Sequence, residues 1–367
     1  MKKKIMCFIK CLVILPCLCI LSGCPQKNGN ERIVYALLPL SGPVGEVGQV
    51  IRKTMEMYKA SHPEIKFRIE YIDSESSPEK ASRSLSQKLL SSGAEKPIVI
   101  TALSSISNMA IPLVDSMDGF VIALCTAQVT VKGNERNYLR FCIGPRDIID
   151  PLADYARKFN SVSVFYSNDD YGNSYLARLK KDLASTKLVL KSTIPFSLTD
   201  QNARVNVQKA LDMKPDAIVM LGMPTTAYVS HIRELKAQNF LGSIIGDNSF
   251  VNPNVYLKLG NDAEGIFSIC TTADFSDPMT TEAKNFRKDC EKGDVMVYYV
   301  SSTTYDVLAL LDNIFEKGES PSQDLFKAMK SFDGATGRVL FEDKGETFFE
   351  CSYATVRGQK VVQVDAK

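Results

Sequence analysis

Beyond residue 32 the chain alternates short apolar runs with amphipathic stretches. The run 33–40 reads as a buried strand, after which Val47, Val50, Ile51, Met55 and Tyr58 recur at helical spacing. Residues 67–72 alternate as a strand. Ser77 then stands as an N-cap before Pro78, and Gly93 marks the end of that helix. Strands are predicted at 98–103 and 120–125, with a helix between them running to about 118. After Gly144-Pro145 the rhythm restarts. Helices at about 147–159, 173–183, 203–213 and 226–239 alternate with strands at 162–166, 188–194, 217–221, 243–246 and 265–270. Two helices follow at roughly 297–317 and 322–330. The runs 337–342, 348–356 and 360–364 read as antiparallel strands joined by Asp343-Lys344-Gly345 and Arg357-Gly358 turns. Alternating strands and helices predict parallel sheets covered on both faces. Two such series, with no sequence repeat between them, predict an α/β fold of two doubly wound lobes.

The N-terminus obeys another pattern. Lys2, Lys3 and Lys4 precede an apolar run from Cys11 to Leu21, too short to cross a bilayer as a permanent helix. Leu21-Ser22-Gly23-Cys24 resembles the bacterial lipobox. Residues 1–23 are therefore expected to leave as a signal peptide, Cys24 to carry lipid, and 24–30 to act as a polar tether. The protein is expected on a membrane, at its periplasmic or extracellular face. Losing 1–23 removes four lysines and no acid, which moves the formal net charge from +2 to −2. So balanced a chain lacks the basic footprint of a nucleic-acid binder. Beyond Cys24 remain Cys125, Cys142, Cys270, Cys290 and Cys351, an odd number that cannot all pair within the chain. No C-x-x-C spacing points to zinc or to thioredoxin-like chemistry. Buried thiols in apolar strands are the expected state.

Few residues suggest catalysis. His62 and His231 stand near no nucleophile elbow or H-E-x-x-H pair, and both are expected at the surface. Asp169-Asp170-Tyr171-Gly172 ends a strand, and its acids read as helix-capping or solvent-facing. Ser41 to Gly48 runs S-G-P-V-G-E-V-G, opening the first helix with glycines spaced G-x-x-G-x-x-G, unlike the dinucleotide fingerprint. Ser104-Ser105-Ile106-Ser107 sits at another strand-to-helix junction, where hydroxyls either cap the helix or hold a carboxylate. Thr126-Ala127-Gln128 follows the next strand. In open α/β sheets such junctions meet at the carboxyl ends of the strands, where ligands bind. No cofactor or metal is expected.

In order and spacing, SGPVGEVG at 41–48, LSSIS at 103–107, Asp170-Tyr171-Gly172, Tyr305-Asp306 and GRVLFEDKGE at 337–346 resemble type I periplasmic solute-binding proteins of the leucine/isoleucine/valine-binding family. The resemblance covers nearly all of 32–366. It implies a Venus-flytrap with lobe one at 31–143 and 271–335, lobe two at 144–270 and 336–367, and hinge crossings near Ile143, Thr271 and Thr336. It implies that Ser105, Thr126 and Gln128 receive a ligand carboxylate, that Val47 lines the side-chain pocket, and that Tyr171 closes from lobe two. Three positions depart from the family: Gln128 replaces a threonine, Met223-Pro224 an aromatic, and Asn248 the glutamate that meets a ligand ammonium. A buried ammonium without a carboxylate is costly. Either Asp247 or Glu46 replaces that glutamate, or the ligand lacks a free amine. The function implied is a monomeric, non-enzymatic receptor that delivers a small polar solute, an amino acid or related amide or carboxylate, to an ABC permease. The alternatives are a sensor lipoprotein docking on a signalling protein, a degenerate scaffold without ligand and, from the enzyme class, an exported hydrolase.

Overall fold

The computed structural model describes residues 32–125, 137–196, 203–222 and 224–365; the signal segment, Cys24 and the tether 24–30 lie outside the described residues. The first lobe opens with β1 (Arg32–Leu38), α1 (Gly45–Ser61), β2 (Phe67–Asp73), α2 (Pro78–Ser92), β3 (Ile98–Ala102), α3 (Ser104–Asp115), β4 (Phe120–Leu124) and β5 (Tyr138–Arg140). Its strands form a parallel sheet in the order β2-β1-β3-β4-β5. The second lobe runs α4 (Pro145–Ala156), β6 (Ser161–Ser167), α5 (Asp170–Leu183), β7 (Val189–Phe196), α6 (Ala203–Leu211), β8 (Ala217–Leu221), α7 (Thr225–Ala237), β9 (Ser243–Gly246), α8 (Pro253–Leu259) and β10 (Phe267–Cys270). The chain then adds α9 (Thr281–Gly293), α10 (Tyr299–Glu316), α11 (Gln323–Met329), β11 (Ser331–Gly334), β12 (Gly337–Phe341), β13 (Thr347–Phe349), β14 (Ser352–Arg357) and β15 (Lys360–Gln363). The second sheet has the order β15-β14-β10-β9-β8-β6-β7, parallel except at β14 and β15.

Both sheets are covered on both faces, as their continuous apolar strands require. In lobe one Tyr58, Leu308 and Ile314 of α1 and α10 pack on one face, and Leu85, Leu89 and Ile111 of α2 and α3 on the other. In lobe two α4 and α5 cover one face with Leu152 and Leu179, while α6, α7 and α8 cover the other with Val207, Ile232 and Val255. His231, expected at the surface, is fully buried on α7. Its Nδ1 lies 2.8 Å from the Ala227 carbonyl and its Nε2 3.4 Å from the Asn206 amide. Cys142, Cys270 and Cys290 are buried thiols, as expected. Among the described residues no helix is long and apolar enough to cross a membrane.

The C-terminal strands depart from the expectation. Residues 348–356 are not one strand, because β13 pairs with β12 in a small sheet with β11, whereas β14 pairs with β10. The small sheet is held to the end of β5. Thr347 and Arg140 exchange hydrogen bonds, and Phe349 meets the Phe141 ring edge to face at 5.4 Å. The chain thus enters the second sheet at Ser352, not at Thr336. Strands β5 and β11 and helices α8 and α9 were not read from the sequence.

Buried carboxylates hold the backbone where the chain passes between sheets. Asp147 accepts the Gly144 N–H at 2.8 Å and also that of Phe349, joining the first crossing to the third. Asp274 accepts the N–H and hydroxyl of Thr271 at 2.8 and 2.7 Å at the second. Asp306 accepts Ala335 N–H at 2.7 Å and Thr336 N–H at 2.9 Å, and the Thr336 carbonyl in turn accepts Thr272 N–H. Burial raises all three carboxyls to about 6. An unfolded aspartate titrates near 3.9, so between these values the folded chain holds more protons and stability falls as pH rises, by about 3 kcal/mol per group. The midpoint of thermal unfolding is therefore expected to rise as pH is lowered from 8 to 5, measured by calorimetry. Asp306→Asn should lose about 2–3 kcal/mol at pH 8 and flatten that dependence, because its amide turns a donor toward backbone donors.

Candidate functional site

In lobe one, β1 and β3 are neighbours whose following helices, α1 and α3, leave to opposite faces of the sheet. In lobe two β6 and β8 stand in the same relation, followed by α5 and α7. At such a switch point the loops diverge and leave a crevice beyond the strand ends. The two crevices face each other across a cavity of about 350 Å³. Lobe one contributes Val44, Glu46, Val47 and Ile51 of the α1 region, Leu103 to Ser105 before and within α3, and Leu124-Cys125 at the end of β4. Lobe two contributes Asp169 to Tyr171, Gly222, Pro224, Thr225, Ser249 and Asn252. The start of α10 adds Tyr298, Tyr299, Val300 and Thr303.

Close packing brings these segments together. A Cβ on Gly48 would stand 2.1 Å from the Pro39 carbonyl oxygen, so only glycine lets α1 begin directly over the end of β1. Gly222, at φ +67°, leaves room for the Tyr171 ring, which a Cβ there would meet at 3.1 Å. Asp169 caps α5 through the Gly172 N–H at 2.9 Å, the capping role expected of it.

Of the residues implicated by sequence, Glu46, Val47, Ser105, Tyr171 and Pro224 line the cavity together. Thr126, Gln128 and Met223 lie outside the described residues. Asp247 and Asn248 are fully buried and stand behind the wall rather than in it. Asp247 is surrounded by donors within lobe two. Its Oδ2 accepts Gly222 N–H at 2.5 Å and the Tyr171 hydroxyl at 3.2 Å; its Oδ1 accepts the Tyr228 hydroxyl at 2.8 Å and Ser249 N–H at 2.9 Å. Asn248 Oδ1 faces the Tyr171 and Tyr175 hydroxyls at 3.4 and 3.3 Å. Burial first, then the Asp247 charge, pushes the Tyr171, Tyr175 and Tyr228 phenols well above 10, so they remain neutral donors. With its hydroxyl committed to this cluster, Tyr171 offers the cavity its ring.

The arrangement accounts for what the sequence reading missed. Tyr298 and Tyr299 are adjacent aromatics just before a hydroxyl-rich run, Ser301 to Thr304, a signal as strong as LSSIS but far from it in the chain. Ser249 and Asn252 carried no local signal. Asp247 organises the turn after β9 and the stance of Tyr171, so Asp247→Asn should cost about 2–3 kcal/mol in urea unfolding with no ligand present. Circular dichroism would read the midpoint.

The family model described as periplasmic binding protein matches residues 36–360. No curated protein sequence matches the chain. Among solved structures, a leucine-binding protein LivK from Thermotoga maritima is 16% identical, with a TM-score of 0.78 over 91% of this chain and 98% of that one. An ABC-transporter solute-binding protein from R. palustris, in complex with benzoate, is 18% identical, with a TM-score of 0.79 over 91% and 96%. The branched-chain amino acid transporter substrate-binding protein LivJ from Streptococcus pneumoniae, in complex with isoleucine, is 16% identical, with a TM-score of 0.77 over 90% and 98%. At such identities the structures establish the two-lobed fold and leave ligand choice to the residues of the cavity. The match along nearly the whole described chain places this protein in the type I periplasmic binding protein family, whose members are solute-binding receptors and not enzymes.

Proposed function

We infer that the protein is a lipid-anchored receptor that captures a small carboxylate with an apolar body and presents it to an ABC importer. One observation carries this reading. The helices α1, α3 and α7 start at the cavity with Val44, Leu103 and Pro224 as N-caps, none offering a side-chain hydrogen bond. Other helices are capped by Ser77, Asp169, Asn252, Thr280 and Ser322, of which Asp169 and Asn252 also line the cavity. Uncapped helix starts leave N–H donors and the positive end of the helix dipole for an anion. Ser105 adds a hydroxyl beside them. Val47, Ile51, Leu124 and the Tyr171 ring suit an apolar body, and the cavity volume lies in the range of small-molecule sites. Isoleucine and benzoate, bound by the two similar proteins, share this carboxylate-on-apolar design.

An ammonium partner has less support. Asp247 has its oxygens engaged, and Glu46 at the rim of the cavity accepts the Asn254 amide at 2.7 Å, a bond from α1 to α8 that ties the lobes together. Of the other carboxylates on the wall, Asp169 caps α5 and Asp170 remains to face a ligand, so an α-amino group is tolerated and not required in this reading. Lipidation at Cys24 would keep the receptor near its permease, where tethering raises the effective concentration.

Isoleucine, benzoate and a branched-chain 2-oxo acid form the first test. A true ligand at a hundred times its dissociation constant adds about 2.7 kcal/mol, read as a thermal shift. The aryl and oxo acids should shift the protein at least as much as isoleucine; silence from all three overturns the assignment. Ser105→Asp sets a carboxylate at the start of α3 and should weaken ligand binding roughly 100-fold while leaving the unliganded protein as stable or more so. Cys24→Ser should move the expressed protein from the membrane fraction to the soluble one and abolish incorporation of labelled fatty acid.

A further inference from the structure

Two cysteines line the cavity just beyond the paired ends of neighbouring strands. β4 and β5 are parallel neighbours, in register from Val121 opposite Tyr138 to Ala123 opposite Arg140, and the Phe141 N–H continues the ladder to the Ala123 carbonyl at 3.0 Å. Cys125 and Cys142 each lie two residues beyond the last register pair. Both line the cavity, and each is buried to within 4% of full burial. Val121, Ala123 and Cys125 share one core cluster with Tyr138, whereas Ile122, Leu124, Leu139 and Phe141 share the other. Period-two alternation therefore sets Cys142 on the same side as Cys125. Neighbouring strands stand about 4.8 Å apart, inside the Cα separation of about 4.4–6.8 Å that a disulfide spans. The two thiols also sense each other electrically, the Cys125 charge helping to raise Cys142.

We propose that Cys125 and Cys142 form an oxidisable pair in the ligand cavity, converted to a cystine by a small-molecule disulfide and thereby tying the first crossing to β4. In the reaction one thiolate attacks the reagent and releases a small thiol. The second thiol then attacks the mixed disulfide and releases another. One protein S–S bond forms, the reagent's S–S bond is reduced, and the two thiol protons end on the two small thiols released. Cys142 immediately precedes Ile143-Gly144, and its carbonyl already accepts the buried Arg140 guanidinium at 2.6 Å, so the bond would stiffen a segment on which lobe movement depends. Burial pushes Cys125 up to about 11 and Cys142 to about 12, which makes the pair unreactive while covered. Oxidation then belongs to the open cleft, and a bound solute would block it.

The test uses the full chain, reduced and then exposed to oxidised glutathione, with remaining thiols alkylated and peptides mapped by mass spectrometry. The expected result is loss of two alkylation sites and a Cys125–Cys142 cross-linked peptide, reversed by dithiothreitol. Cys125→Ser and Cys142→Ser should each abolish it, and Cys290→Ser should leave it intact. Amide exchange over 140–144 should slow roughly tenfold on oxidation of the wild type and not of Cys125→Ser. An unchanged alkylation count in the wild type, or a cross-link joining Cys142 to Cys351 instead, overturns the proposal without reliance on any variant.

Discussion

A chain that passes between two sheets must leave hydrogen-bonded ladders, and the backbone groups it exposes there need partners if they are buried. Here those partners are the buried aspartates. Asp147 serves Gly144 and Phe349, Asp274 serves Thr271, and Asp306 fixes the turn whose carbonyl receives Thr272. Each carboxylate is bought at the cost of desolvation, visible in its raised carboxyl. What the protein gains is a defined geometry at crossings that carry little other pairing, and the cleft hangs from that geometry.

The cleft itself follows from topology. Both lobes use the same strand order around their first strands, so both have a switch point, and the crossings set these two points face to face. Helix starts and the carboxylates Glu46, Asp169 and Asp170 supply the polar character of its walls. No arginine or lysine stands among the described lining residues, so the carboxylate site proposed above would rest on helix N–H groups and the Ser105 hydroxyl. Lobe two shows a division of labour. Asp247 and Asn248 carry polar chemistry but sit one layer back, where they orient Tyr171 and leave its ring to the cavity.

Much of this was legible. The strand–helix rhythm located most elements, and the residues at strand-to-helix junctions, Val47, Ser105, Tyr171 and Pro224, do come together, because in an α/β sheet every such junction lies on one edge. Short elements were not legible. β5 has three residues and β11 four, too few for a period to register. The break at Glu350-Cys351 was hidden because the run from Thr347 to Val356 stays strand-like while changing sheets. His231 misled because a helix rich in polar residues still turns one face to a core, where its ring packs near Phe165 and Phe196.

The sequence by itself determined the fold class, the two α/β series and the candidate residues at junctions, because periodicity and capping act over a few residues and leave a local trace. Only the tertiary structure decided that Asp247 is a buried hub behind the cavity wall, that the start of α10 joins that wall, and that Cys125 and Cys142 line the same cavity. Those facts depend on which strands become neighbours. Neighbour choice is set by the packing of whole faces over long separations in the chain, and no short window of residues records it.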